Sequence, residues 1–163
     1  MQNKRLMMQR ILEAVMASGV CLAENLADDA ALAAYVIPAG AKIGDYVYVM
    51  SDASNAGRRG VYVLTRNNSG VLVFSKATFP VYFQPPGNDK IKPPCIIYHL
   101  SDIEVLRANN SLYKVDTAYA VTLVDPNPDS PFVEKLLAAP CYVAFDRSYI
   151  SDALNHWVFT LYY

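Results

Sequence analysis

The first apolar pattern in the sequence has helical spacing. Four apolar residues recur at intervals of three, one and three positions, which places them on one face of an α-helix: Met8, Ile11, Leu12 and Val15. Gly19 follows as a stop signal for this helix. Polar side chains interrupt the apolar run, so it is too polar for a signal peptide and too short to span a bilayer.

The next segment is acidic and rich in alanine. Residues 24–34 favour either a weak second helix or a loop packed on the first. From residue 35 onward the pattern becomes that of strands, with alternation across residues 42–50. Residues 60–66 and 71–76 flank an Asn-Asn-Ser-Gly turn and predict a β-hairpin.

The middle of the chain predicts a meander. Residues 81–83, after Pro80, are expected to form an edge strand. Residues 95–100 are almost continuously apolar, which is typical of a central strand covered on both faces. Residues 103–107 and 112–124 follow as two more strands around Asn109-Asn110.

The last third reads as turn, helix and two strands. Two prolines within residues 125–130 end the preceding strand, and Ser130 followed by Pro131 is a helix start signal. Pro140 ends that helix, and residues 141–149 and 157–163 predict two strands. Because the final segment is so apolar and aromatic, we expect it to be central to the fold.

These elements predict the α+β class. We expect an antiparallel or mixed β-sheet with an N-terminal helix and a C-terminal helix packed on it, plus a β-hairpin insertion. The length of 163 residues suits one domain, residues 1–163, in which residues 35–83 form the β-rich insertion.

Composition narrows the function classes. The net charge is -1, from 14 basic and 15 acidic residues, which argues against a dedicated nucleic-acid binder and against a polybasic membrane anchor. Only 18% of residues are charged, 53% are hydrophobic, and there are 12 tyrosines. Tyrosine is favoured at interfaces, so an assembly component is one interpretation, and a tyrosine-rich core is the other.

Candidate chemistry is sparse. The three cysteines, Cys21, Cys95 and Cys141, are widely spaced and odd in number, which indicates reduced thiols and neither a disulfide framework nor a metal site. His156 with Asp146 or Asp152 is a possible acid/base pair, but no nucleophile lies at a workable spacing. We therefore expect a protein that is not an enzyme and that holds no cofactor and no metal.

Several of these segments together resemble the tail-terminator or tail-completion proteins of tailed bacteriophages. The resemblance rests on the N-terminal helix, residues 95–100 (CIIYHL), residues 119–124 (YAVTLV), the helix after Pro128-Asp129-Ser130, and residues 155–163 (NHWVFTLYY). It covers roughly half to two thirds of the chain. It implies a small α+β protomer that closes into a ring, commonly a hexamer, on top of the tail tube.

That resemblance also implies a role and partners. The ring would stop tube growth in the neck of the virion after assembly in the host cytoplasm. Its partners would be other copies of the chain, the tail tube protein and the head-completion or connector protein, without a membrane. Genomic DNA would pass through the lumen without sequence recognition.

The expected interface lies in the β-rich region. We expect its residues to include a tyrosine and arginine set: Tyr46, Tyr48, Arg58, Arg59, Tyr62 and Tyr82. Residues 35–83 depart from the compact pattern of the family. This departure leaves two alternatives, another neck component such as a head-closure protein, or a non-viral binding module.

Overall fold

The structure is a computed structural model that describes residues 4–50, 60–87 and 90–163. These residues form three helices and nine strands. The helices are α1 (Lys4–Met16), α2 (Asp29–Ala34) and α3 (Pro131–Leu137). The strands are β1 (Cys21–Leu26), β2 (Tyr46–Val49), β3 (Gly60–Arg66), β4 (Leu72–Ala77), β5 (Val81–Phe83), β6 (Cys95–Ala108), β7 (Ser111–Asp125), β8 (Tyr142–Ser151) and β9 (Leu154–Tyr162).

Contacts divide the chain into two compact units. The first comprises Met1–Met16 and Pro80–Tyr163, and the second is Ala17–Phe79. The predicted insertion overlaps the second unit in sequence, but it begins at residue 35 instead of 17 and ends at residue 83 instead of 79. Each unit has one sheet, and each sheet contains one parallel pair of strands, so the chain combines helices with two mixed sheets.

The sheet of the first unit has the strand order β5-β6-β7-β9-β8. One face carries its core: Ile96, Tyr98, Tyr119, Val121, Leu123, Phe159 and Leu161 are all buried. Helix α1 packs against β5, β6 and α3 with Met8, Leu12 and Val15 buried, as its spacing predicted. The Tyr98 hydroxyl donates to Gln9 Oε1 at 2.5 Å. Burial raises the pKa of Tyr98 to about 12, so this donor stays protonated.

The final strand is central, as predicted. Strand β9 lies between β7 and β8 and pairs with both along its length, from Asn155 opposite Asp125 to Tyr162 opposite Ala118. Strand β5 is the predicted edge strand, and it runs parallel to β6.

The start of α3 also agrees with its sequence signals. Ser130 is the N-cap and its hydroxyl accepts from the Phe132 amide at 3.4 Å, with Pro131 in the first turn. Two adjacent leucines at the end of this helix have opposite environments. Leu136 is 0% exposed and Leu137 is 53% exposed.

We expect Leu136→Ala to lower the free energy of unfolding by about 2–5 kcal/mol, because it opens a cavity in the core of the first unit. Leu137→Ala is the matched control and should change it by less than about 0.5 kcal/mol. Chemical denaturation of the two variants measures the difference. Equal losses for the two leucines would contradict the placement of α3.

The sheet of the second unit has the order β1-β2-β3-β4 and is packed on both faces. Tyr46, Tyr48 and Val61 form one cluster with Ala17, whereas Val47, Val49 and Tyr62 form another with the apolar residues of β1 and α2. All four residues of β2 are therefore buried. The hairpin of β3 and β4 turns at residues 67–70, as predicted, and the Asn67 side chain accepts from the Ser69 and Val71 amides.

Strand β1 differs from the sequence-based expectation. Residues 21–26 are a strand, and only residues 29–34 of the acidic segment are helical. The reason is long-range pairing, since β1 lies parallel to β2 with Cys21 opposite Tyr46. Tertiary pairing overrides the weak local preference of an alanine-rich segment.

Gly19 has a different role from the predicted helix stop, because α1 already ends at Met16. A Cβ at Gly19 would lie 2.4 Å from the Asp45 backbone nitrogen and 2.5 Å from Asp45 Oδ1. The buried Asp45 carboxylate accepts from the Val20 amide at 3.0 Å and from the Lys42 amide at 2.8 Å. Both hydrogen bonds lower the pKa of Asp45, and the one from Lys42 has the larger effect. Only glycine allows this close approach.

We expect Gly19→Ala to lower the free energy of unfolding of the second unit by about 1–3 kcal/mol, because the methyl group must displace Asp45 from its backbone donors. Gly40→Ala serves as the control, since a Cβ there meets nothing within 4 Å. Thermal denaturation followed by circular dichroism compares the variants. A Gly19→Ala protein as stable as Gly40→Ala would show that the contact with Asp45 is not tight.

Candidate assembly surface

The predicted interface tyrosines are mostly core residues. Tyr46, Tyr48 and Tyr62 are buried in the second unit, where Tyr46 packs edge-on against Tyr48 and Phe79. Their burial corrects the expectation that these side chains face a neighbour. Tyr82 is half-buried on β5. Arg58 and Arg59 lie outside the described residues, so their part of the prediction stays a prediction.

A long hairpin arm is the main unpartnered feature of the first unit. We use "the arm" for residues 101–116, the distal parts of β6 and β7. The last pairing of the sheet with these strands is at Thr117, which exchanges two backbone hydrogen bonds with Tyr163. Beyond that point, in the part of the chain that the structure describes, β6 and β7 pair only with each other. Every residue from 101 to 114 is exposed.

The two faces of the arm differ in chemistry. Cross-strand register places Asp102, Glu104, Lys114 and Asp116 on one face, which we call the charged face. Ile103, Val105 and Val115 occupy the opposite, apolar face, and Ile103 is 50% exposed. Near the tip, Arg107 pairs with Leu112, which is 57% exposed. Because successive side chains alternate across a strand, Arg107 lies on the face opposite Glu104.

The arm is tied to the sheet at its base. The Lys4 ammonium of α1 donates to the Val115 carbonyl at 2.7 Å and to the Tyr163 carbonyl at 2.9 Å. On β6 the arm begins at a register shift between Leu100 and Asp102. Such irregularities bend a strand and change the direction of its distal part. The arm is therefore a continuation of the core ladder with a defined direction.

A groove of about 480 Å³ lies at the foot of the charged face. Its carboxylates are Asp102, Glu104 and Asp116, and its aromatic wall is the edge-to-face pair of Tyr142 and Tyr162, with centroids 5.6 Å apart. Glu104 stands directly opposite Asp116, a pairing of like charges that destabilises a hairpin.

One ammonium group partly compensates these charges. Lys114 makes a 2.6 Å ion pair with Asp116. The Asp116 carboxylate raises the pKa of Lys114, and Glu104 acts in the same direction. The groove thus has three carboxylates and one ammonium, and it retains negative charge.

The outer edge of the same sheet is strand β8. Four large side chains along it are exposed: Tyr142, Phe145, Tyr149 and Ile150. The strand is irregular between Phe145 and Arg147, and the intervening Asp146 accepts from the Thr160 hydroxyl at 2.7 Å. A bulge and a charge on an edge strand oppose uncontrolled pairing with another strand. The open edge is therefore less suited to strand addition than its apolar side chains suggest.

The candidate acid/base residues are not brought together. His156 Nδ1 lies 3.1 Å from the Leu154 carbonyl, and its ring stacks on Tyr149 with centroids 4.6 Å apart. No hydrogen bond joins His156 to Asp146 or Asp152, all of which lie in the described residues. The contacts of His156 are therefore a backbone carbonyl and an aromatic ring.

Cys95 and Cys141 do not have the low pKa of a reactive thiol. Burial raises the pKa of the Cys95 thiol to about 11, with a further contribution from Asp125, and burial also raises the pKa of Cys141. A thiol with a raised pKa is a poor nucleophile at neutral pH. None of Cys21, Cys95 and Cys141 forms a disulfide bond.

Metal-binding clusters and membrane-spanning helices are both absent from residues 4–50, 60–87 and 90–163. Within these ranges no three or more His, Cys, Asp or Glu side chains are grouped so that they could hold a metal ion. No helix in them has the length and apolar character needed to cross a membrane.

The arm was missed by sequence reasoning, which predicted separate strands at residues 95–100 and 103–107. One signal was present. The turn Asn109-Asn110 lies between two predicted strands, and the structure joins them into a hairpin whose strands have 14 and 15 residues, more than twice the usual length. Both turn residues have positive φ, 49° and 61°, as a tight hairpin requires.

Comparisons with known proteins do not assign this surface to a family. No family model matches the chain, and neither a curated protein nor a solved structure matches it.

Proposed function

We propose that this chain is a structural assembly protein of a tailed-bacteriophage neck, a tail terminator that caps the tail tube, stops its polymerisation and joins the tail to the head connector. The observation that carries the assembly role is the arm. The terminator role itself comes from the sequence resemblance, together with the expected fold of an N-terminal and a C-terminal helix on one sheet with a hairpin insertion.

The arm supports assembly on energetic grounds. An isolated two-stranded hairpin is at best marginally stable in water, and its unpaired edges invite pairing with another chain. Burying the exposed half of an aliphatic side chain contributes about 1 kcal/mol. Ile103, Val105 and Leu112 each offer such a gain to a partner. A free monomer leaves this gain unused, whereas an assembly component uses it.

A closed ring also suits these surfaces. Contacts between two different patches on identical copies run on into filaments unless the rotation closes them. We propose a ring of six copies, because that is the stoichiometry implied by the resemblance. Such a ring, assembled in the host cytoplasm and placed in the virion neck, leaves a lumen through which DNA passes without sequence recognition.

We expect the wild-type chain, added to a polymerising tail tube protein from the same genome, to give tubes of uniform length with a cap at one end. Replacing Leu106 and Tyr113 of the arm together by Ser should leave most ends bare, because both side chains are exposed and can be buried against a partner. Tyr113 is 76% exposed. Negative-stain electron microscopy counts capped ends and measures tube length.

Val36→Ser is the matched control, since Val36 is also exposed but lies outside the arm. It should cap like the wild type. Wild-type mixtures with bare ends and unrestricted length would reject termination. Capture of the chain by the head connector alone would instead indicate a head-closure role, and a chain that binds neither would indicate a binding module outside virions.

A further inference from the structure

We propose that the apolar face of the arm of one copy lies over the groove of a second copy, with Arg107 of the first copy facing the groove carboxylates Asp102 and Glu104 of the second. This contact rests on the proposed function and deepens it, because it names the surfaces that join neighbouring copies. The occupant of the groove is therefore another copy of this chain.

The chain cannot make this contact with itself. Arg107 lies three positions beyond Glu104 on the same strand, so the two side chains point to opposite faces of the arm. The groove opens on the charged face, whereas Ile103, Val105 and Arg107 belong to the other. Within the described part of the chain, Arg107 has no ion-pair partner. Only the arm of a different molecule can bring its apolar face to this groove.

The two surfaces are complementary in charge, and both offer apolar area. The groove has three carboxylates and the single ammonium of Lys114, so it lacks a positive charge that Arg107 supplies. The aromatic wall of Tyr142 and Tyr162 offers apolar area to Ile103 and Val105. Aromatic side chains and arginine are the types enriched where copies of a protein meet.

The geometry of the contact favours a ring. The donor surface is the apolar face of the arm, and the acceptor surface is the groove on its charged face, so each copy has one of each. Such a contact is heterologous and passes from copy to copy in one direction. It closes into a ring when the rotation between copies divides a full turn.

The test uses reversed charges on the full chain. We expect Arg107→Glu and Glu104→Arg each to weaken self-association by about tenfold or more, because an attraction becomes a repulsion. The double variant carrying both changes should associate like the wild type. Sedimentation equilibrium over a range of concentrations measures the association constants, and circular dichroism checks that each variant is folded.

Mixing the two single variants gives the sharpest result. In an equimolar mixture, the two variants can alternate from copy to copy. One contact then joins the substituted position 107, now negative, to the substituted position 104 of the other variant, now positive. The next contact joins the native Arg107 to the native Glu104. Every contact is then an attraction, so association should return. A folding defect or a contact within one molecule cannot be rescued in this way.

Arg147→Glu is the control for a general effect of charge, because Arg147 is exposed on β8 outside the arm and outside the groove lining. It reverses the same kind of charge as Arg107→Glu. It should leave the association constant unchanged.

Three outcomes would overturn the inference: a wild-type chain that stays monomeric at every concentration, single variants that associate like the wild type, or a mixture that gains nothing. Tube capping is scored separately. Capping without the contact would reject this inference and keep the proposed function. Association through the arm and groove without any capping would support this inference and reject the proposed function.

Discussion

The antiparallel pairing of β6 with β7 is the interaction on which the first unit depends. In its inner half, Ile96 and Tyr98 pair with Leu123 and Val121 in the buried core. In its outer half the same ladder continues into the arm, where every residue from 101 to 114 is exposed. Because the arm continues the ladder of the core, the core strands set its direction. The hydrogen bond from Lys4 to the Val115 carbonyl ties α1 to the base of the arm.

Local signals predicted much of this fold. The spacing of Met8, Leu12 and Val15 identified the buried face of α1, and Ser130 with Pro131 identified the start of α3. The Asn-rich turn at residues 67–70 identified a hairpin. In each case the deciding interaction joins residues close together in sequence, so the pattern carries the information.

The features that sequence reasoning missed depend on distant partners. Strand β1 exists because β2 lies beside it, and nothing in its own composition shows that. Tyr and Val alternate in β2, and both types suit a core, so the pattern could not reveal that both faces are buried. How far the arm extends beyond the sheet could not be recognised either, because this depends on where β9 ends opposite β7. The same limits apply to the predicted interface, because the pattern does not distinguish a surface tyrosine from core residues such as Tyr46, Tyr48 and Tyr62.

Hydrogen exchange shows whether the arm is an interface between molecules. Amides on the unpaired edges of residues 101–116 should exchange rapidly in dilute protein and become protected when the chain associates or caps a tube. Core amides of β7 near Val121 should be protected in both states and serve as the internal reference. Arm amides that exchange at the same rate in dilute and assembled protein would show that the arm is not an interface.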